Sequence, residues 1–544
     1  MRFFYVFLLA LPLFATSVTA QDQTNVDLPA EPDVLDIPYT KFTLDNGLTL
    51  IVHEDRKAPI AAVNVWYHVG SKNETPGRTG FAHLFEHLMF NGSENYDDDY
   101  FQVLERIGAT DLNGTTNNDR TNYFQNVPVN ALDRALWMES DRMGHLLGAI
   151  DQGKLDEQRD VVKNEKRQGE NQPYGRVFST IFENVYPEGH PYSWPVIGSM
   201  EDLNAASLDD VKEWFERYYG AANAVVVIAG DIDPETAKQK VETYFGDITP
   251  GPPVTKAQRW IPKWDTPRRA TMEDRVPQAR VYLTWNMPEW GSADADDLEL
   301  FSDVLTYGKT SRLYKRLVYE DQVATNANSF AYGQEIAGMF VINASVAPGA
   351  DMAAVEAAIR EEVQQLLEDG PTQQELNRVV TLNVANFVRG AERIGGFGGK
   401  SDILAQSEVY GGAPDAYKNR LRRFKTATPE RVVETARRWL KNNEFTLEVV
   451  PFPDYAAAET GADRSDLPPV DAPPAVDFPA LQRATLSNGL DVVLAERHAT
   501  PIVRMDLLVD AGYAADREHI LGTASLAMNM LDEGAGSMNA LEIA

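Results

Sequence analysis

Hydrophobic and polar positions along the first half of the chain follow two patterns. Short apolar runs that alternate or are rich in β-branched residues predict strands, whereas apolar residues three or four positions apart predict amphipathic helices. The predicted strands are 48–53, 60–69, 122–127 and 224–229. The predicted helices are 81–90, 100–107, 131–147 and 155–168.

The second half, after a proline-rich stretch at 250–267, repeats this mixture. Strand patterns cover 281–285, 338–346 and 446–450. Long helical patterns begin after a residue whose side chain can cap the first turn. These capping residues are Asp351, Thr372, Asp415 and Thr428. Because strands and helices come in blocks, we predict α+β domains, each with helices covering a mostly antiparallel sheet.

An internal repeat extends this organisation. The segment Leu-Asp-Asn-Gly-Leu at 44–48 recurs as Leu-Ser-Asn-Gly-Leu at 486–490, an offset of 442 positions. Three more matches keep the same offset: Pro59-Ile60 with Pro501-Ile502, Gly70 with Gly512, and Gly80 with Gly522. The chain therefore holds one complete unit of about 440 residues and the start of a second. An Ala/Asp/Pro-rich linker at 453–480 separates them.

The first twenty residues have the pattern of a secretory signal peptide. Arg2 precedes an apolar run over residues 3–15, and small residues at 18–20 form a cleavage site. The run is too short to span a bilayer, and no later segment has the roughly 18 apolar residues that a membrane helix needs. We expect an exported, periplasmic protein without a stable membrane anchor; the alternative is a retained N-terminal anchor.

Composition narrows the class of protein. Apolar residues make up 43% of the 544 and charged residues 24%, as in globular proteins, and the length predicts three or more domains. The formal net charge of −31 argues against a nucleic-acid-binding function, which needs a basic surface. The absence of cysteine excludes thiolate metal sites and a cysteine nucleophile, so a bound metal must rely on histidine and carboxylate ligands.

The sharpest chemical signal is His83-Leu84-Phe85-Glu86-His87 in the first predicted helix. Histidines four positions apart lie on one helix face and can share an ion, and Glu86 borders that face. With 8 His and 81 acidic residues, chance would produce His-x-x-acid-His about 0.02 times in such a chain. H-x-x-E-H is the inverted zinc-protease motif.

A zinc site of this kind needs a third protein ligand. The predicted helix 155–168 and the residues just after it carry several acids, and a Val161-Val162 pair that can pack inward. Glu165 lies beside that apolar pair. Reasoning from the residues alone leaves Glu157, Glu165 and Glu170 open as candidates.

These features resemble the pitrilysin/insulinase family of zinc metallopeptidases, the inverzincins, in which a glutamate ligand follows H-x-x-E-H after nearly eighty residues. Glu165 lies 78 positions after His87. The resemblance covers residues 38–544. Its further segments are 113–116, 121–124, 159–165, 190–192, 197–198 and 311–314.

The resemblance implies a role for each site residue. His83, His87 and Glu165 hold one zinc ion per chain, and Glu86 is the general base. Asn113, Gly114 and Thr115 lie on an edge strand that pairs with the backbone of a peptide substrate. Family members often carry a further glutamate, which supports a metal ligand, seven residues before the ligand glutamate. Here Gln158 can hydrogen-bond a ligand but adds no negative charge, which predicts a lower zinc affinity.

The second copy lacks this chemistry. At the offset of 442, His83, Glu86 and His87 correspond to Ser525, Met528 and Asn529, which cannot rebuild the site. By resemblance, 38–250 is the catalytic zinc-binding domain and 268–452 a second, homologous, non-catalytic domain. Residues 481–544 begin a degenerate peptidase-like domain. In long family members two such halves enclose a peptide, so we expect a second half or a partner subunit to complete the chamber.

The sequence therefore predicts an exported zinc endopeptidase that acts on peptides or unfolded polypeptide segments. The alternative is a non-catalytic peptide-binding or assembly subunit of the same family. The intact motif argues against that alternative, and the incomplete second half favours it. A metal-storage or sensor protein is a third hypothesis, but it leaves Glu86 without a role.

Overall fold

The computed structural model divides into two units, Met1–Asp454 and Tyr455–Ala544. The predicted signal peptide 1–20 and nearly all of the predicted linker 453–480 lie outside the described residues. None of the helices in the described part of the chain is long and apolar enough to cross a membrane. The described residues are 34–441, 443–453, 480–496, 504–518, 520–531 and 533–539.

A six-stranded sheet forms the centre of the first half. Its strand order is β1-β2-β6-β3-β5-β4, so β4 lies at an edge. The neighbours are antiparallel except β2 and β6, which are parallel. The strands are β1 Thr40–Thr43, β2 Thr49–Glu54, β3 Ile60–Tyr67, β4 Thr110–Thr116, β5 Thr121–Pro128 and β6 Ala224–Gly230.

Helices cover one face of this sheet. Along β3, Val63, Val65 and Tyr67 point into the core beneath the helices, while Trp66 packs on the opposite face, as the two-residue period requires. The helices of the first half, of which α5 packs elsewhere, are α1 Phe81–Leu88, α2 Tyr100–Arg106, α3 Leu132–Gly144, α4 Gln152–Asn171, α5 Val177–Val185, α6 Met200–Ala205, α7 Leu208–Tyr218 and α8 Pro234–Phe245.

The second half repeats this topology. Its five-stranded sheet has the order β7-β11-β8-β10-β9, in which only β7 and β11 are parallel, and this matches β2-β6-β3-β5-β4 of the first sheet. The strands are β7 Arg268–Asp274, β8 Arg280–Met287, β9 Ala324–Gly333, β10 Gly338–Val346 and β11 Phe445–Pro451. The helices are α9 Ala293–Thr306, α10 Met352–Asp369, α11 Gln373–Gly390, α12 Lys400–Gly411, α13 Tyr417–Lys425 and α14 Pro429–Trp439, with a π-helical segment at Tyr314–Glu320. The predicted α+β fold class with repeated domains is confirmed.

Each half also covers the outer face of the other half's sheet. Helix α5 of the first half packs Ile181 into a cluster with Tyr282 and Val341 of the second sheet. Helices α12 and α13 of the second half form a cluster with Trp66 and Val227 of the first sheet. Both sheets are therefore buried on two faces, which explains why β6 and β10 are buried at every position.

Two details of the sequence prediction are wrong. Asp415 does not cap α13, because that helix begins at Tyr417 after Ala416 and has no side-chain cap. The carboxylate of Asp415 instead lies 3.5 Å from the ammonium of Lys418. Val161 does not pack inward with Val162; it is 40% exposed, whereas Val162 is fully buried. Adjacent helical positions differ by about 100° in direction, so the two valines cannot share one face.

The second unit shows the repeat in three dimensions. At the offset of 442, its first hairpin corresponds to β1–β2, and its helix corresponds to α1. The hairpin turn is the same as well, since Gly47 and Gly489 have φ of 85° and 87°. The elements are β12 Leu481–Thr485, β13 Asp491–Ala495, α15 Thr523–Asn529, β14 Gly534–Ala535 and β15 Met538–Asn539.

Candidate metal centre

The start of helix α1 is fixed by its surroundings. Gly80, at the N-cap, has φ of 87°, and a Cβ atom there would lie 2.8 Å from the carbonyl oxygen of Ile197. Glycine therefore satisfies both the left-handed conformation and the close backbone approach. The buried carboxylate of Glu74 accepts hydrogen bonds from the backbone N–H groups of Gly80 and Ala82, at 3.1 and 2.8 Å. The indole of Trp194 donates to the same carboxylate at 3.0 Å.

The structure brings His83, His87 and Glu165 together. The imidazole rings lie one helical turn apart on α1, with centroids 4.8 Å apart and planes nearly perpendicular. Helix α4 brings Glu165 to them because its buried Leu155 and Val162 pack into the core of the first half. The Oε2 atom of Glu165 lies 3.8 Å from Nε2 of His83 and 3.4 Å from Nε2 of His87.

These three side chains fit a zinc ion. Ligand atoms about 2.0–2.2 Å from zinc in a tetrahedral site lie roughly 3.3–3.6 Å from one another. One potential ligand atom from each residue lies within 4.8 Å of the others. Burial, with a smaller contribution from His87, lowers the pKa of His83 to about 4. His83 is therefore neutral at physiological pH, the state in which imidazole binds a metal.

The other two candidate acids on α4 lie elsewhere. Glu157 is exposed, and Glu170 pairs with Lys166 at 2.7 Å. Only Glu165 of the three belongs to the cluster with the two histidines in the described part of the chain. Of the three acids that the sequence left open as the third ligand, the structure therefore favours Glu165.

Glu86 is buried beside the cluster, on the same helix. Its Oε2 atom accepts a hydrogen bond of 2.5 Å from the hydroxyl of Thr116, the last residue of β4. Burial raises the pKa of Glu86, and the hydrogen bond from Thr116 partly opposes that rise. A buried carboxyl group with a raised pKa beside a candidate metal site is a candidate for acid–base chemistry.

Asn113, Gly114 and Thr115 lie on the edge strand β4. They pair with Phe124, Tyr123 and Asn122 of β5. On the other side of β4 no further strand pairs with it among the described residues. A Cβ atom at Gly114 would lie 2.7 Å from the ring of Phe90, so this position needs glycine for packing reasons.

Gln158 lies on α4, two turns before Glu165, and its side chain is half-buried. In the described structure it makes no hydrogen bond to the three candidate ligands. The Nδ1 atom of His83 is buried and has no hydrogen-bond partner there. In metal sites this second ring nitrogen of a ligand histidine usually donates a hydrogen bond to a carboxylate, a carbonyl group or water, which orients the ring.

Sequence reasoning missed a buried ionic cluster behind the site. Lys72 donates to Oδ1 of Asp119 at 3.2 Å and to the carboxylate of Glu335, which comes from the turn between β9 and β10. The backbone N–H of Glu335 also donates to Asp119 at 3.0 Å. Burial opposes ionisation of Glu335, but His68 and Lys72 outweigh it and lower its pKa to about 2. Glu335 of the second half thus fixes the turn that follows Thr116.

Two family models match the chain. One is described as Insulinase (Peptidase family M16) and matches residues 49–194; the other, Peptidase M16 inactive domain, matches residues 205–383. The first includes the candidate site, and the second includes most of the second half. Both halves of the first unit are therefore similar to domains of one peptidase family.

Named proteins show the same similarity. Zinc protease PqqE of Helicobacter pylori is 29% identical over 385 residues, which cover 69% of this chain and 85% of that one. Human cytochrome b-c1 complex subunit 1, mitochondrial, is 26% identical over 287 residues, covering 50% of this chain and 57% of that one. The crystal structure of a protease from Helicobacter pylori superposes with a TM-score of 0.70 at 26% identity, over 76% of this chain and all of that one.

Proposed function

The chain belongs to the insulinase family of peptidases (M16), and we propose that it is a zinc-dependent endopeptidase acting on peptides or unfolded polypeptide segments. The observation that carries the proposal is the convergence of His83, His87 and Glu165 next to the buried carboxylate of Glu86. This donor set matches catalytic zinc sites with two histidines and one glutamate. We assign one zinc ion per chain to it.

The residues divide the chemistry between them. Zinc, when bound by His83, His87 and Glu165, supplies a Lewis acid that lowers the pKa of water and polarises a carbonyl group. Glu86 accepts the proton of the attacking water. It later gives this proton to the amine that leaves when the peptide bond breaks. The rise in its pKa that burial causes favours the first step, because a more basic carboxylate accepts a proton more readily.

The edge strand β4 offers a place for the substrate. Its residues Asn113, Gly114 and Thr115 precede the Thr116–Glu86 contact directly, and no strand among the described residues pairs with the outer side of β4. A peptide that added a strand there would have its backbone aligned beside Glu86. Backbone pairing is tolerant of side chains, which suits a peptidase for unfolded segments.

We assign the catalytic role to residues 38–250 and a non-catalytic, homologous role to 268–452. Residues 481–544 would be the start of a degenerate third domain. A second half or a partner subunit would complete the peptide chamber. The signal-peptide pattern at 1–20 supports export to the periplasm.

A non-catalytic subunit is the second candidate function. The match to an inactive domain over residues 205–383 and the similarity to a cytochrome b-c1 complex subunit favour it. The inactive-domain match, however, lies outside the residues that carry the candidate metal site. A subunit without catalysis would also have no use for a buried carboxylate poised beside two histidines.

Metal analysis combined with peptide cleavage tests the proposal. We expect the purified full chain to hold one zinc ion and to cleave a fluorogenic unfolded peptide. Glu165→Gln should lose zinc and cleavage, whereas Glu157→Gln, an exposed position on the same helix, should change neither. Glu86→Gln should keep zinc but lose at least about a hundred-fold in kcat.

The outcomes separate the two candidates. Cleavage that survives in Glu86→Gln contradicts the general-base assignment. Zinc binding by a wild-type chain that cleaves no peptide, even when mixed with a candidate partner subunit, favours the non-catalytic function.

A further inference from the structure

The Glu86 carboxylate has two oxygen atoms in different surroundings. Oε2 receives the 2.5 Å hydrogen bond from Oγ1 of Thr116. Oε1 accepts no hydrogen bond from the described part of the chain and keeps contact with solvent. The length of the Thr116 bond lies in the range found for a hydroxyl that donates to a carboxylate oxygen.

The protons of the neighbouring hydroxyls can be assigned without conflict. Thr121 lies opposite Thr116 in the ladder between β4 and β5, and their hydroxyl oxygens are 3.3 Å apart. The hydroxyl of Thr121 donates its single proton to the carbonyl oxygen of Val69 at 3.0 Å, because a carbonyl can only accept. The single proton of Thr116 is therefore left for Glu86, which when ionised can also only accept.

We propose that Thr116 is a positioning residue that holds Oε2 of Glu86 and reserves Oε1 for proton transfer. This inference rests on the proposed peptidase function. An O–H bond of water breaks and its proton moves to Oε1, while the water oxygen forms a bond to the carbonyl carbon of the peptide and the C=O π electrons move to the carbonyl oxygen. The C=O bond then re-forms as the C–N bond breaks, and the same proton moves from Oε1 to the leaving nitrogen, so Glu86 ends as it began.

The hydrogen bond also fixes the orientation of the carboxylate. A glutamate side chain has three rotatable bonds, and a base must stay within hydrogen-bond reach of the proton that it takes. Thr116 is placed for this task by β4, whose following turn is anchored through Asp119 to Lys72 and Glu335. A carboxylate that rotated freely would not keep one oxygen within hydrogen-bond reach of the proton that it takes.

Three variants of the full chain test the proposal. Thr116→Val removes the hydroxyl but keeps the shape of the side chain, and Thr116→Ser keeps the hydroxyl. Thr121→Val is the matched control, since it removes a neighbouring, fully buried hydroxyl that does not contact Glu86. The measurements are kcat and KM on a fluorogenic peptide, zinc content and melting temperature.

We expect Thr116→Val to lower kcat by about 10- to 100-fold, the effect of losing a hydrogen bond to a charged group, with one zinc bound and KM within about two-fold of wild type. Thr116→Ser should restore kcat to within about three-fold. Thr121→Val should lower the melting temperature but keep kcat per folded molecule.

A second readout does not need activity. The carboxylate stretch of Glu86, identified from the infrared difference between wild type and Glu86→Gln, should shift in metal-free Thr116→Val and stay in place in Thr116→Ser. Wild-type kcat or an unshifted band in Thr116→Val overturns the positioning role, as does a loss that serine fails to rescue. If Glu86→Gln is inactive while Thr116→Val is fully active, only this inference fails and the proposed function stands.

Discussion

Helices α1 and α15 occupy the same place in two copies of one repeat, and they begin in the same way. Their N-cap residues, Gly80 and Gly522, both have positive φ, at 87° and 95°. An acidic residue six positions earlier, Glu74 or Asp516, accepts hydrogen bonds from the cap N–H and from the N–H two residues on. Neither the glycine nor the acid contributes a ligand to the candidate site.

The two helices differ in the residues that follow. Where α1 has His83, Glu86 and His87, α15 has Ser525, Met528 and Asn529. The anchored helix start is therefore a property of the fold that persists without the metal-binding side chains. This separates two kinds of residue in α1: those that place the helix and those that carry the proposed chemistry.

The largest expected effect comes from giving α1 the residues of α15. The double variant His83→Ser and His87→Asn should bind no zinc and cleave no peptide, because a single carboxylate cannot hold the ion. The helix should still form, since Glu74 and Gly80 are untouched. Zinc content and circular dichroism of the full chain measure the two effects, and a double variant that keeps stoichiometric zinc contradicts the ligand assignment.

A smaller effect is expected from the helix anchor. Glu74→Ala leaves buried backbone N–H groups of Gly80 and Ala82 without partners, which should cost about 3 kcal/mol in the free energy of unfolding of the first unit. Glu74→Asp, the residue type of the second copy, should cost less than half as much, because Asp516 makes the equivalent bonds at 2.9 and 3.0 Å. Urea unfolding followed by tryptophan fluorescence measures both. Equal destabilisation by the two variants would mean that the anchors of the two copies are not equivalent.

Helices and strands with a clear hydrophobic period were predictable from the sequence. The apolar period predicts a helix over 155–168, and α4 runs from Gln152 to Asn171; it starts earlier because the side chain of Asp151 accepts a hydrogen bond from the backbone N–H of Lys154. The interpretation of His83 and His87 as neighbours followed from the four-residue spacing alone. Glu165 required the family resemblance, because helical period cannot show which acid on one helix faces another helix.

Contacts between distant segments were not predictable. Thr116 lies 30 residues from Glu86, and Lys72 lies 263 from Glu335. A single polar residue beside a turn has no periodic pattern in the sequence. Its hydrogen-bond or ion-pair partner is therefore visible only in the folded structure. The glycine-rich segment 395–399 is a further example, because Gly395 packs against Asn126 and the ring of Phe397 lies 4.9 Å from that of Phe124.

The smallest expected effect concerns Gln158. It tests whether this residue of α4 affects the metal ligands or only forms part of the helix. Gln158 lies on the face of α4 that carries Glu165, and the Nδ1 atom of His83 is buried without a partner in the described structure. Positions seven apart on a helix differ by only about 20° in direction, so a carboxylate at position 158 would add negative charge on the side of α4 that carries Glu165. Gln158→Glu should therefore tighten zinc binding by about ten-fold in a competition with a chelator. Gln168→Glu, which adds the same charge at an exposed position of α4, should leave the affinity unchanged; equal affinities in both variants would show that position 158 does not act on the metal ligands.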